Sequence, residues 1–540
     1  MSRPSLLRSM LSFSGGTFVS RILGLVREQA IAYAFGANAA TDAFWVAFRI
    51  PNFLRRLFAE GSFSVAFVPV FTEVKQARSH EDLKQLVART AGTLGGVLFV
   101  VTALGMLGAY WLAAGFAPGA IDEPAKHALT ADLLRVMFPF LLCVSLTALC
   151  GAVLNSFHRF LLPALTPVIM NLCMIVAALW WSKRLDVPIM ALGWAILAAG
   201  VLQLLVQLPA LARLDLLAWP RWGWRHPDVR RIAKLMLPTL FGSSVAQVNL
   251  LLDTLIASFL VTGSQTWLTQ SDRLLEFPLG IFGVALGTVI LPSLSRHHVA
   301  TDRDGFAKAL DWGLRTALLI SVPAMLALVL LAEPILATLL QHGRFTAHDV
   351  RMAALSLSAL SFGLPAFALV KVVAPAFYAR QDTRTPVRAG VVAMVANMLL
   401  NVLFVGLLFA LWHRPDDLGD GWLAGIAKVP GLHMGLALAS ALASYLNLAQ
   451  LWLALRREGV YVRQAGWGAH LARLVLACAA MVAVLGLGLW WWRDWGDWSA
   501  WTRVVRLGLL VAAGGTTFAA VLFAGGFRLR HLRGEPGAAG

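Results

Sequence analysis

Between residues 21 and 60 the chain carries eight ionisable side chains, Arg21, Arg27, Glu28, Asp42, Arg49, Arg55, Arg56 and Glu60, within sequence that is otherwise largely apolar. Five are cations and three are anions, so two positive charges remain even if every carboxylate finds an arginine. Guanidinium groups suit oxyanions: they stay charged, and their planar fork matches phosphate or carboxylate oxygens two at a time. In a soluble protein such a set would be ordinary surface. Here 59% of 540 residues are hydrophobic, 14% are charged and the mean hydropathy is +0.72. So much apolar surface cannot face water, and a charge at the centre of a bilayer costs roughly 2.5–3.5 kcal/mol on insertion scales. The surplus arginines are therefore expected in a water-filled cavity between two halves of the molecule, facing a substrate anion.

Blander roles exist for single members of the set. Arg56 and Glu60 stand one helical turn apart and could form only an intrahelical ion pair. Arg27 and Glu28 could cap a helix end near the headgroups, and other arginines could snorkel to the interface. Further along, Asp272-Arg273-Leu-Leu-Glu276 puts Arg273 and Glu276 on one helix face, either as an interfacial salt bridge or as a cation completing the anion site with its orienting acid. Asp253 and Lys371 lie inside apolar runs; Asp253 is the candidate cation or proton site, or else an arginine's partner. Motifs for other chemistries are missing. The chain has no Walker loop and no His-Glu-x-x-His, which argues against ATP as the direct energy source and against a zinc hydrolase. Cys143, Cys150, Cys173 and Cys478 sit in apolar runs without metal-ligand spacing and read as small core residues.

These side chains are positioned by membrane helices. Apolar runs of about 20 residues, the length that spans a hydrocarbon core, recur from about residue 10 to about residue 525 and suggest about fourteen spans. The net charge of +17 would suggest nucleic acid in a soluble protein, but Lys and Arg concentrate in alternate short loops, so the charge is topological and no nucleic-acid partner is expected. The positive-inside rule then puts both termini in the cytoplasm, as an even number of spans requires. A weak repeat at an offset of about 220 residues pairs Phe63-Ser-Val-Ala66 with Phe282-Gly-Val-Ala285, as expected for two six-span lobes related by duplication. The fold expected is an all-α integral membrane protein: lobes at 1–232 and 233–462 around a central cavity, then a helix pair and basic tail at 463–540. Six tryptophans between Trp490 and Trp501 mark an interfacial belt around the last external loop.

Several long motifs resemble one family. Ser20-Arg-Ile-Leu-Gly-Leu-Val-Arg27, Ala40-Thr-Asp-Ala-Phe44, Pro51-Asn-Phe-Leu-Arg-Arg-Leu-Phe-Ala-Glu-Gly61, Asp272-Arg-Leu-Leu-Glu-Phe-Pro278 and Arg380-Gln-Asp-Thr-Arg-Thr-Pro386 are similar to those of the MurJ (MviN) lipid II flippases, within the multidrug/oligosaccharidyl-lipid/polysaccharide exporter superfamily. The resemblance covers essentially the whole chain. It implies a fourteen-helix transporter, not an enzyme, in the bacterial inner membrane. The implied cargo is lipid II, the undecaprenyl-diphosphate-linked peptidoglycan precursor, moved to the periplasmic leaflet for cell-wall synthesis. By motif match, Arg21, Arg27, Arg55 and Arg273 correspond to the family's cavity arginines, Ser64 to a cavity-lining serine, and Asp42, Glu60 and Glu276 to its important acids. Glu28 stands where the family commonly has Asp. No cofactor is implied beyond a coupling cation, sodium or proton, for which Asp253 is the candidate. Cell-wall synthesis proteins are the implied protein partners. A drug/cation antiporter or another polysaccharide-lipid exporter of the same superfamily is the alternative.

Overall fold

The computed structural model describes residues 6–58, 62–413 and 421–528, and every regular element in them is helical. Helices dominate because a segment in hydrocarbon must satisfy its backbone hydrogen bonds internally. The chain divides into two compact units, Met1–Gln265 with His342–Arg344, and Thr266–Gln341 with Phe345–Gly540.

The first unit contains α1 (Leu6–Phe35), α2 (Ala39–Phe58), α3 (Ser62–Ala77), α4 (His80–Leu107), α5 (Ala109–Phe116), α6 (Pro124–Met137), α7 (Pro139–Ser156), α8 (Leu161–Leu179), α9 (Met190–Ala212) and α10 (Pro227–Ala257). Breaks fall where the chain chemistry favours them. Gly108 separates α4 from α5, and Pro139, which has no N–H to offer the preceding turn, starts α7 directly after α6. Ser79 opens α4 with a reciprocal capping box: its hydroxyl accepts from Asp82 N, and Asp82 accepts from Ser79 N. Pro51 lies inside an unbroken α2. α1 packs on α8, α2 on α6, and α3 on α7 and α10. The core between α2, α6 and α9 is aromatic-rich, with Phe44, Trp45 and Phe48 against Leu133, Leu134 and Ile196. On α3, Phe63, Phe67 and Phe71 follow one another every fourth residue, with ring centroids 5.2 and 5.3 Å apart.

α4 comes so near the α6–α7 break that a Cβ at Gly105 would fall 2.1 Å from the buried Phe138 ring. Gly105→Val is therefore expected to destabilise the first unit by about 1–3 kcal/mol through overpacking. A thermal melt of the detergent-solubilised variant checks this; a melting temperature equal to wild type would mean that α4 can slide aside.

The second unit contains α11 (Ser264–Val299), α12 (Arg303–Leu330), α13 (Ala332–Leu340), α14 (Ala347–Ser361), α15 (Leu364–Tyr378), α16 (Arg384–Trp412), the short α17 (Trp422–Ile426), α18 (His433–Arg457), α19 (Trp467–Trp491) and α20 (Ala500–Ala524). The last two helices pack on each other and on α12. Two polar clusters fasten them. On α12 the buried Asp311 accepts from Tyr461 Oη (2.8 Å) and Trp467 Nε1 (2.6 Å), and pairs with Arg315 one turn on, whose Nε is 2.7 Å from Oδ2. Arg315 also donates to Ala465 O (2.7 Å), so one carboxylate organises the whole approach to α19. Away from that cluster, the buried Arg503 of α20 donates to Ala337 O (2.9 Å) at the end of α13 and to Gly496 O (2.6 Å). Both carbonyls would otherwise lie unsatisfied at a helix end or loop.

Among the described residues ten helices, or pairs of end-to-end helices, are long and apolar enough to cross a membrane. The protein is a multi-pass membrane protein. The four cysteines are free, with Cys150 and Cys478 buried.

Candidate functional site

α1 lies along α8, and the side chains that join them are polar. Asn171, 5% exposed in an otherwise apolar helix, accepts from Arg27 Nη1 (3.0 Å) and donates through Nδ2 to Ser20 O (3.0 Å). The other terminal nitrogen of Arg27, Nη2, is 2.5 Å from Oε1 of the buried Glu28. The guanidinium is thus gripped on two sides by an amide and a carboxylate. Its Nε is buried without an acceptor among the described residues. A buried N–H of a charged group left in this state carries a desolvation cost that a ligand oxygen would relieve. Arg21, half-buried, precedes Glu28 by seven residues and so shares its helix face two turns away.

A second cationic row runs along α2. Arg49, 8% exposed, hydrogen-bonds through Nη1 to Thr254 Oγ1 and lies 3.5 Å from Leu250 O; Arg56 donates from Nη1 to Gln247 Oε1 (3.3 Å). Seven residues forward on α2 correspond to seven residues backward on α10, the register of two antiparallel helices meeting along one stripe. Arg55 donates from Nε (3.1 Å) and Nη2 (2.8 Å) to Asn52 Oδ1, one turn earlier on its own helix. These side-chain and backbone oxygens fix the direction in which each guanidinium fork points.

The remaining residues singled out in the sequence are placed as follows. Asp42, buried in the first turn of α2, accepts from Gly263 N (2.7 Å), at a glycine with φ +102°. Ser64 is half-buried on α3. Glu60 lies outside the described residues. Asp253 is half-buried on α10, where Asn249 Nδ2, one turn back, lies 3.5 Å from its Oδ2. In the second unit Arg273 donates from Nη1 to Glu276 Oε2 (3.1 Å), as their i, i+3 spacing allows, and Lys371 donates to Leu279 O (3.3 Å) across α15 and α11. Among the described residues, no group of three or more His, Cys, Asp or Glu gathers as a metal site.

Sequence reasoning missed the acceptors. Asn171, Gln247 and Thr254 were not singled out, although a lone amide such as Asn171 in an apolar run is itself a signal, because it needs a buried partner. Their pairing with Arg27, Arg56 and Arg49 joins positions 144 to 205 residues apart, which no local pattern encodes.

Comparison with known proteins fits this geometry to a family. The model of the family described as "Lipid II flippase MurJ" matches residues 31–412. A protein of Vibrio cholerae serotype O1 named "Probable lipid II flippase MurJ" is 43% identical over 537 residues, 98% of each chain. One from Burkholderia cenocepacia named "Lipid II flippase MurJ" is 41% identical over 485 residues, covering 89% of this chain and 90% of that one. Among solved structures, a lipid II flippase MurJ in an inward closed conformation has the same fold, with a TM-score of 0.73 at 24% identity over 95% of this chain and 99% of that one. An inward-facing multidrug resistance transporter of the MATE family, in the MOP superfamily, aligns with a TM-score of 0.62 at 12% identity, over 84% of this chain and 98% of that one. With a family model spanning most of its length and relatives above 40% identity, the chain belongs to the family of lipid II flippases called MurJ.

Proposed function

We propose that this protein is a transporter that flips lipid II, the undecaprenyl-diphosphate-linked peptidoglycan precursor, from the cytoplasmic to the periplasmic leaflet of a bacterial inner membrane, by alternating access. It is not an enzyme; its role is to supply cell-wall synthesis. The observation that carries the reading is the Arg27 guanidinium, fixed by Asn171 and Glu28 with a buried N–H that meets no acceptor among the described residues, on a chain whose relatives are named for this activity. Arg21, Arg55 and Arg273 complete the set that holds diphosphate and headgroup, with Ser64 lining the path and Glu28, Asp42, Arg56, Glu60 and Glu276 as the supporting charges. Cationic residues of this kind favour an anionic cargo over the organic cations of a drug antiporter.

Fourteen crossings are supported by pairing the broken helices. α2 with α3, α4 with α5, α6 with α7, α12 with α13 and α14 with α15 each make one column, and α1, α8, α9, α10, α11, α16, α18, α19 and α20 supply nine more. Two six-helix lobes at 1–232 and 233–462 and a helix pair at 463–540 follow from that count and the internal repeat. An even number of crossings, with basic loops on one side, puts both termini in the cytoplasm. The membrane potential or a cation gradient drives the step, with Asp253 as the cation site. Each elementary charge moved through 100 mV is worth about 2.3 kcal/mol. Cell-wall synthesis proteins are the partners that take up the product.

Depleting the protein from its host should leave lipid II in the inner leaflet and end in lysis. Lipid II that stays fully accessible to an externally added probe after depletion would reject the flippase reading.

A further inference from the structure

The segment that follows α9 is fastened to α4 in an unusual way. Two glycines on α4 make a notch: a Cβ at Gly92 would fall 2.2 Å from Arg221 O, and one at Gly96 would fall 2.7 Å from the Trp222 ring. Arg221 N donates to Ala88 O (3.0 Å) and Gly223 N to Thr93 Oγ1 (3.0 Å), so the backbone is pinned at two points. Gly223 in turn leaves room for Arg89, whose Cβ would lie 2.5 Å from a Cβ there.

What the pinned segment presents outward is both aromatic and cationic. Trp219 is 86% exposed, Trp222 65% and Trp224 48%. The acids nearby are engaged: Asp215 by Lys84 (2.7 Å), Asp228 by Arg78 (2.8 Å) and Glu73 by Arg231 (2.8 Å). Arg213, Arg221, Arg225, Arg230 and Lys234 are exposed and make no ion pair among the described residues. Directly past Gly96, α4 begins its exposed apolar face with Val97, Phe99, Val100 and Leu104. The tryptophans therefore stand where α4 passes from polar surroundings into hydrocarbon, the level at which amphipathic aromatic rings settle.

We propose that residues 217–225, held in the glycine notch of α4, form a binding surface for anionic phospholipid headgroups, with the three tryptophans among the acyl-chain ends of the headgroups and Arg221 and Arg225 on the phosphates. The clamp sets the depth of the first unit in its leaflet. A soluble protein partner fits less well, because it would have to reach the level of α4's lipid-facing side chains. An anionic membrane surface supplies both chemistries at once, and each arginine near it strengthens attachment roughly fivefold.

Hydrogen exchange of full-length protein in nanodiscs tests this. As phosphatidylglycerol replaces one third of phosphatidylcholine, amides in 217–225 should exchange about tenfold more slowly. The surface variant Arg221→Gln/Arg225→Gln, at an unchanged melting temperature, should lose most of that response. Trp222→Ala/Trp224→Ala, with both charges kept, should weaken it as well. The proposal fails if wild-type exchange ignores lipid composition. It fails equally if the double arginine variant responds as fully as wild type, or if protection appears only when soluble proteins are added.

Discussion

Arg27→Ala is expected to abolish growth when it is the only copy of the protein in a cell. Lipid II flipping in reconstituted vesicles should fall about 100-fold or more, because each charge-assisted hydrogen bond to an anionic ligand is worth about 1.5–3 kcal/mol. Two companion variants separate charge from aim. Arg27→Lys keeps the charge but replaces a planar fork with a single ammonium, which cannot face Asn171 and Glu28 in the same geometry. It should recover no more than a small part of the activity. Asn171→Leu keeps the guanidinium and its pairing with Glu28, yet removes the amide that ties it to the Ser20 carbonyl. A loss of about tenfold in flipping is expected, with the protein still inserted and present at normal level, from one lost charge-assisted hydrogen bond. Normal growth on Arg27→Ala at native expression would remove this arginine from the transport pathway.

The largest loss of stability is expected at Asp311, far along the chain from these arginines. Asp311→Ala strands two donors, Tyr461 Oη and Trp467 Nε1, and takes the carboxylate from Arg315, which keeps only its bonds to backbone oxygens such as Ala465 O. Each stranded donor costs about 1–3 kcal/mol, and with the lost ion pair to the half-buried Arg315 the total is about 3–5 kcal/mol. Asp311→Asn retains an acceptor for the tyrosine or the indole and should cost about 1–3 kcal/mol. Thermal melts in detergent, with cysteine-accessibility labelling on α19, measure both. The expected order is wild type, then asparagine, then alanine, with α19 becoming reactive first in the alanine variant. An alanine variant that melts like wild type would show that α19 is held by apolar packing alone, through Leu474, Ala477 and Cys478 against Leu319.

How much of this could be read beforehand differs from element to element. Long apolar runs mark α8, α9, α16, α19 and α20 without ambiguity, since each is a single unbroken helix. The runs around Leu142 and Leu360 read as one span apiece, whereas the chain builds each from two helices, α6 with α7 and α14 with α15. A hydropathy window averages over about twenty residues and is blind to a break that costs only one or two hydrogen bonds. Pro139 and Pro365, each in the first turn of the second helix, carried that information locally. Asp42 illustrates the opposite limit. The hydrogen bond it accepts from the backbone N–H of Gly263, 221 positions away, leaves no local trace in the sequence.

The amino-acid sequence by itself determined that this protein lives in a membrane, that many of its long apolar runs are helices able to cross it, and that residues 21–60 carry more cations than acids. Those properties are sums over local residues: transfer free energy accumulates along a run, and formal charge needs no partner to be counted. Which oxygen each guanidinium meets was decided only by tertiary structure. Arg27 on Asn171, Arg49 on Thr254 and Arg56 on Gln247 depend on helix pairs chosen by close packing of side chains distant in the chain. That choice is a property of surfaces fitting together, and it has no periodic trace in either helix alone.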